Sequence, residues 1–176
     1  MTWKSHTAIA VAVALPFSPA SLPLAILGAT APDWLEYVAK FFGLHVKHRQ
    51  ETHYLVIPIL IIALSFLIDF RGMILWFGIG YLTHWIADSL TITGVPIAPN
   101  ARHKIHLLGG KIKTGEPLEY IVAFGLLAFS ASISSTALEL FNSEHGFNKY
   151  HIDYGYLQKN GIIDNKEALE TRFKLF

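Results

Sequence analysis

The chain has 176 residues, of which 52% are hydrophobic and only 15% charged, and it contains no cysteine. Soluble domains usually carry about a quarter charged residues, so this composition and a mean hydropathy of +0.40 favour a membrane protein. The length suits a single domain. A formal net charge of +1 gives no reason to expect a nucleic-acid partner. Without cysteine, disulfides and thiolate metal sites are excluded, so a metal would need histidine and carboxylate ligands.

The N-terminal segment, residues 7–30, is apolar but has three prolines between positions 16 and 23. Proline removes a backbone donor and clashes with the preceding turn, so a straight spanning helix is disfavoured. We expect two short helices, at about 7–15 and 22–29, folded back as a half-membrane hairpin. Pro32 then favours an extended or turn conformation at Ala31. This arrangement would bring His6 and Asp33 out on the same side.

Three apolar segments follow, at residues 54–68, 73–90 and 120–138. A bilayer core of about 30 Å needs roughly 20 helical residues, and about 17 suffice. The sequence therefore predicts an all-α, polytopic membrane helical bundle of three spanning helices plus the N-terminal half-membrane hairpin. Residues 70–72 would form a tight turn between the first two spans. We assign residues 1–141 to this membrane-embedded domain and residues 142–176 to a polar C-terminal tail.

The connecting segments 31–52 and 94–117 carry most of the charge, and the hairpin places both on one membrane face with the N-terminus. Eight of the fourteen Lys and Arg residues lie on that face. By the positive-inside rule it is expected to be cytoplasmic. The sequence thus predicts a multi-pass protein of the bacterial inner membrane.

The segment "GYLTHWIADSLT", residues 80–91, has the most chemically informative spacing. His84 and Asp88 are four residues apart and share one helical face. Ionisable groups in membrane helices are costly and usually mark a functional site, and this pair could bind one metal ion. The alternative is a His–Asp hydrogen bond that fixes two helices together.

The segment "HRQETH", residues 48–53, adds two histidines at the start of the first span. Thr52 is expected to be the N-cap of a helix that begins at His53, with His48 in the loop outside. His48 and His53 could then meet His84 and Asp88 at one depth, which favours a site over coincidence.

Other polar residues have simpler interpretations when taken alone. Asp33 could be a helix cap, His6 an interfacial histidine, and Glu119 an acid at the start of the last helix. His103 and His106 are expected to be solvated.

Taken in order, "SHTAIA", "APD", "HRQETH" and "GYLTHWIADSLTITGVPI" resemble the YdjM-like family of LexA-regulated, inner-membrane, metal-dependent hydrolases. The resemblance runs from about residue 6 to 119 and implies a divalent metal, with zinc the first candidate and one to three ions. It implies metal-ligand roles for His6, Asp33, His48, His53, His84, Asp88 and Glu119. A looser similarity, to zinc-dependent phospholipase C and P1-type nucleases, hints at phosphodiester hydrolysis.

The chain departs from the family pattern at two places. Where the family reads P-D-x-D-H, this chain has Leu35 and Glu36 at the last two positions. Gln50 and Glu51 replace a glycine and an apolar residue in the second motif. One carboxylate is therefore lost, and Glu36 is the residue that could compensate.

The leading hypothesis is a membrane-embedded, metal-dependent hydrolase of a phosphoester or lipid-linked substrate, with Asp33 as catalytic proton acceptor. Membrane lipid is the expected partner, and Arg49 and the basic residues of 102–113 would attract an anionic head group or phosphorylated substrate. The alternatives are a His/Asp proton relay in transport, a structural metal without catalysis, and a haem protein, which the recurring carboxylates disfavour. The sequence does not predict an oligomeric state.

Overall fold

Five α-helices form the part of the chain that the computed structural model describes, which is residues 1–45, 49–69, 72–99, 101, 103–142 and 161. They are α1 (Trp3–Ala14), α2 (Leu22–Phe41), α3 (Val56–Ile68), α4 (Met73–Ser89) and α5 (Pro117–Asn142). Within these residues β-structure is limited to two isolated bridges, Thr91 with Ile112 and Val95 with Ile105. The predicted all-α class is confirmed.

The chain divides into two compact units, Met1–Ser134 and Ser135–Phe176. The first unit contains every side chain discussed below. Of the second unit, the described residues are the helical positions up to Asn142 and Gly161. The predicted boundary between residues 141 and 142 stays a prediction, because most of the polar tail lies outside the described residues.

The N-terminal region forms two helices, as expected, but the second is longer than predicted. A one-turn 3-10 helix, Pro19–Ser21, joins α1 to α2, and α2 then continues through Pro32 to Phe41. The expected turn at Ala31 was therefore wrong. Proline costs a helix one hydrogen bond, and here the close packing of α2 against α4 outweighs that local preference.

Glycine allows α2 and α4 to approach each other closely. A Cβ added to Gly28 would overlap the Phe77 carbonyl oxygen, and one added to Gly80 would overlap the Ala25 carbonyl oxygen. Small residues at such crossings are typical of helix pairs in membranes, where backbones pack in direct contact. The close approach places His84 of α4 beside Ala29 of α2, with the His84 Nδ1 atom 2.6 Å from the Ala29 carbonyl oxygen.

Helix α3 begins at Val56, three residues after the position predicted for it. Residues Glu51–His53 form a one-turn 3-10 helix, and Tyr54 is extended. Thr52 is therefore not the N-cap of α3. The reason is Pro58: a helix that began at His53 would require a backbone N–H at this position, and proline has none.

Helix α4 begins at Met73, as the sequence predicts, and Asp69 stabilises this start. Gly72 has a left-handed conformation, with φ of 71°. The Asp69 carboxylate accepts hydrogen bonds from the backbone N–H groups of Met73, at 3.0 Å, and Leu75, at 2.8 Å. These bonds satisfy donors that have no partner in the first turn of a helix. Phe70 and Arg71 of the predicted turn lie outside the described residues.

One described helix, α5, is long and apolar enough to cross a membrane, over Pro117–Ser134. The prediction of three spanning helices is not confirmed. Helix α3 has 13 residues, about 20 Å at 1.5 Å per residue, which is less than the bilayer core. Helix α4 has 17 residues, but its second half carries buried polar side chains, among them His84 and Asp88, so it is not a continuous apolar span.

Candidate metal centre

Five of the predicted site residues come together in the first unit, from four separate elements. His6 lies on α1, Asp33 on α2, His53 in the 3-10 helix, and His84 and Asp88 one turn apart on α4. Four of these side chains are at most 2% exposed, whereas Asp33 is 13% exposed. The cluster is therefore a buried group of titratable residues, and Asp33 is the member nearest to solvent.

His84 is oriented by the backbone of α2. Its Nδ1 lies 2.6 Å from the Ala29 carbonyl oxygen, which can only accept, so Nδ1 carries the proton and donates it. In the neutral imidazole, Nε2 is then a lone pair. That atom faces His53 Nε2 at 3.1 Å and Asp88 Oδ2 at 3.6 Å.

His53 is contacted at both ring nitrogens. Its Nε2 lies 3.5 Å from Asp33 Oδ1, on the side of His84. Its Nδ1, on the opposite edge of the ring, lies 3.0 Å from the Thr52 hydroxyl and 3.4 Å from Glu36 Oε1. Burial lowers the pKa of His53, and the nearby Asp33 carboxylate opposes this effect. The ring is therefore held as a neutral group in a polar cluster.

His6 stacks on His84, with the two ring centroids 3.7 Å apart and the planes 9° from parallel. Its Nε2 lies 3.3 Å from Asp88 Oδ1. Within the described residues, however, neither ring nitrogen of His6 has a hydrogen-bond partner. Burial, followed by the proximity of His84, lowers the pKa of His6 to about 4, so the imidazole is neutral near pH 7.

The donor set fits a divalent cation. Two overlapping triads, His6–Asp33–His84 and His53–His84–Asp88, each have ligand atoms within 4.8 Å of one another. Tetrahedral zinc with bonds of about 2.0–2.1 Å would separate its ligand atoms by about 3.3 Å, close to the shortest separations in the cluster. The buried ring nitrogens of His6 support the same fit, because such atoms usually have a hydrogen-bond partner and these have none among the described residues. Both triads contain His84, and only its Nε2 is available to a metal because Nδ1 contacts the Ala29 carbonyl oxygen. The two triads therefore describe one shared metal location.

Asp33 carries the charge that faces solvent. Burial by itself would raise its pKa, but the contact with His53 and the neighbouring histidines hold the pKa below its usual value. Asp33 is therefore an anionic carboxylate near pH 7, which is the form that ligates a metal or accepts a proton.

Arg49, which the sequence singled out only as a charge that would attract an anionic group, also contacts the cluster directly. It is 7% exposed, and its Nε lies 3.2 Å from Asp88 Oδ2. Its terminal nitrogens donate to Asp88 Oδ1 and to the Thr91 hydroxyl, each at 3.2 Å. Thr91 lies one turn beyond Asp88, so the two acceptors of the Arg49 guanidinium share one side of the chain. This spacing is the sequence feature that could have indicated a common partner for them. The amino group of Met1 also contacts Asp88, so two cations balance this carboxylate.

The remaining predicted ligands are not part of the two triads. Glu119 is buried but accepts hydrogen bonds from the backbone of Thr2, at 2.6 Å, and of Gly115, at 2.7 Å. It joins the chain start to the first turn of α5. His48 lies outside the described residues. His103 and His106 are exposed, as expected for solvated side chains.

Comparison with known proteins identifies a family for this chain. The family model described as YdjM inner membrane protein matches residues 1–143. Neither the curated proteins nor the solved structures contain a significant match to this chain. The matched region includes all five clustered residues.

Proposed function

The chain therefore belongs to the YdjM inner membrane protein family, and from this premise we propose that it is a membrane-embedded, metal-dependent hydrolase. The proposed ligands are His6, Asp33, His53, His84 and Asp88. Histidine with carboxylate suits zinc, manganese or iron, and zinc is the first candidate. The proposed substrate is a phosphoester or a lipid-linked compound at the membrane interface.

The observation that carries this proposal is the meeting of hydrogen-bond acceptors inside the cluster. In the neutral form of His84, Nε2 is a lone pair, because Nδ1 donates to the Ala29 carbonyl oxygen. It faces another imidazole nitrogen, His53 Nε2, at 3.1 Å, and a carboxylate oxygen of Asp88. Acceptors that are buried together repel one another unless a cation lies between them.

The residues of the chain have distinct roles in the proposed reaction. When bound, the ion would supply a water of lowered pKa and polarise a phosphoryl or carbonyl oxygen. Asp33, the anionic and most exposed member of the cluster, would accept the proton of the attacking water. Arg49 holds a positive charge 3.2 Å from Asp88, which favours an anionic substrate group at that end of the site.

Elemental analysis of the purified protein tests metal binding. The wild type, extracted in mild detergent, should retain about one equivalent of metal, and His84→Ala should lose it. His103→Ala is the matched control, because His103 is exposed, and it should retain the metal. A wild type that binds no zinc, manganese or iron would refute the proposal.

Hydrolysis is tested separately with two defined probes, bis(p-nitrophenyl) phosphate and phosphatidylglycerol vesicles. We expect turnover that requires the metal and is lost in Asp33→Asn. Metal binding without hydrolysis of either probe would favour a structural metal.

A His/Asp proton relay is the second candidate, because 3.1 Å is also the length of an N–H···N hydrogen bond. In that case His53 Nε2 would carry a proton. Proton flux into liposomes that contain the metal-free wild type would favour the relay. Absence of flux, together with bound metal, would exclude it.

We further propose that the protein is multi-pass, with the metal centre towards the cytoplasm and anionic lipid as its partner. Large apolar side chains are exposed on α3 and α5, for example Phe66 at 78% and Phe129 at 64%, which supports contact with lipid. Exposed basic residues lie in the loop before α5, among them Lys104 and Lys111. Such residues favour anionic head groups.

The absence of cysteine makes this topology directly testable. In intact spheroplasts, Lys104→Cys lies on the proposed cytoplasmic side and should resist labelling by an impermeant maleimide. Met73→Cys is at the start of α4, the end away from His84 and Asp88, and should be labelled. The reverse pattern would place the site on the outer side, and equal labelling would contradict a spanning α4.

A further inference from the structure

Glu36 is a buried carboxylate that the proposed reaction does not use. It lies one turn after Asp33 on α2 and is 4% exposed. At this position the pattern that the sequence resembles has a histidine, which would suggest a direct ligand. Glu36 belongs to neither of the two triads with metal-ligand spacing, so its chemistry requires another explanation.

Glu36 and Asp33 contact opposite edges of the same imidazole. Glu36 Oε1 lies 3.4 Å from His53 Nδ1, and Asp33 Oδ1 lies 3.5 Å from His53 Nε2. Because residues three apart share a helix face, one helix holds the ring at both nitrogens. Glu36 is on the edge that faces away from His84, where it cannot ligate the same ion.

A carboxylate at Nδ1 determines what Nε2 can do. The Thr52 hydroxyl, 3.4 Å from Glu36 Oε1 and 3.0 Å from His53 Nδ1, can accept from the ring and donate to the carboxylate. Both contacts favour a proton on Nδ1, which leaves the Nε2 lone pair directed into the cluster. Such outer carboxylates fix the tautomer of ligating histidines and increase their basicity.

Glu36 also anchors the residue that holds Asp88. Its Oε1 accepts the backbone N–H of Arg49 at 2.9 Å. Arg49 has a φ of 57°, a left-handed conformation that is uncommon for residues other than glycine and needs support from its surroundings. The guanidinium of this residue binds Asp88. The Glu36 carboxylate thus contacts both His53, a member of the cluster, and Arg49, which binds Asp88 of the cluster.

We propose that Glu36 is a positioning residue of the metal centre, which fixes the Nδ1–H tautomer of His53 and the orientation of Arg49 without ligating the ion. In this chain it acts from outside the two triads with metal-ligand spacing. The inference rests on the proposed metal-binding function, so its test must separate the two.

The first experiment measures zinc affinity by competition with a chelator for the wild type, Glu36→Gln and Glu116→Gln. Glutamine retains an acceptor for Arg49 but loses the charge, so Glu36→Gln should bind zinc about 10–100-fold more weakly. The metal-free variant should unfold at the wild-type temperature, which a purely structural role would not allow. Glu116 is an exposed control, and its variant should bind like the wild type. Wild-type affinity in Glu36→Gln would overturn the proposal.

The second experiment requires neither metal nor a folded variant. Long-range ¹H–¹⁵N spectra of the metal-free wild type should show His53 protonated at Nδ1 and unprotonated at Nε2. A dominant Nε2–H form would overturn the proposal even if zinc binds. If the wild type binds no zinc but has the Nδ1–H form, the metal-binding function fails while the positioning of His53 by Glu36 stands.

Discussion

Replacing Gly80 by alanine tests whether the close approach of α2 and α4 builds the site. The added Cβ would overlap backbone atoms of Ala25, among them its carbonyl oxygen. Backbone cannot rotate away as a flexible side chain can, so the two helices must separate. The His84 Nδ1 to Ala29 hydrogen bond, 2.6 Å long, joins the same two helices one turn further on and would lengthen.

The expected magnitude is the balance of two effects. Overpacking of this kind costs about 1–3 kcal/mol, and a clash with backbone belongs near the upper limit. Alanine is favoured over glycine in a helix by about 1 kcal/mol. The unfolding free energy of Gly80→Ala should therefore fall by roughly 2 kcal/mol. At about 2–4 °C per kcal/mol, the melting temperature should fall by roughly 4–8 °C.

Gly125→Ala is the matched control. This glycine is in α5, and a Cβ there meets nothing within 4 Å, so only the helix preference changes and stability should rise by up to about 1 kcal/mol. Thermal unfolding in detergent and zinc titration should be run on both variants. A Gly80→Ala protein as stable as Gly125→Ala, with wild-type zinc affinity, would refute the packing argument.

Three further substitutions test individual contacts. Asp69→Ala should destabilise the protein by about 1 kcal/mol in thermal unfolding, because α4 loses the acceptors for two first-turn N–H groups. Asp69→Asn keeps one oxygen acceptor of the two and should recover only part of this loss. Tyr81→Phe removes the hydroxyl that donates to the Thr52 carbonyl. It should cost about 1–3 kcal/mol and weaken zinc binding, because Thr52 also contacts His53 Nδ1; unchanged zinc affinity would show that this bond does not help to position His53. Arg49→Lys keeps the charge but loses the paired contact with Asp88, so chemical denaturation should show a loss of about 1–3 kcal/mol.

Much of the helical layout could be predicted from local sequence. The apolar segments and their polar boundaries located the helices, since burial and bilayer length both select continuous apolar runs. One error arose where packing outweighs local preference, because Pro32 was expected to end α2 but lies inside it. The other concerns the start of α3, which is at Val56 and not at His53, since Pro58 has no backbone N–H to bond to the preceding turn.

The candidate site divides in the same way. The four-residue spacing of His84 and Asp88 places them on one face of any helix, so the sequence alone determined that they are neighbours. Histidine and aspartate also determined the kind of chemistry, because without cysteine these are the side chains left for a metal of this class.

Only the tertiary structure decided which other residues join that pair and in what role. His6 lies 78 positions before His84 in the chain, yet their rings stack at 3.7 Å. Glu119 carried a similar expectation but bonds to Thr2 instead. Glu36 could be recognised as an outer carboxylate only from its distance to His53 Nδ1. The physical reason is that helical periodicity fixes contacts within a helix, whereas contacts between helices depend on where glycine lets two backbones meet.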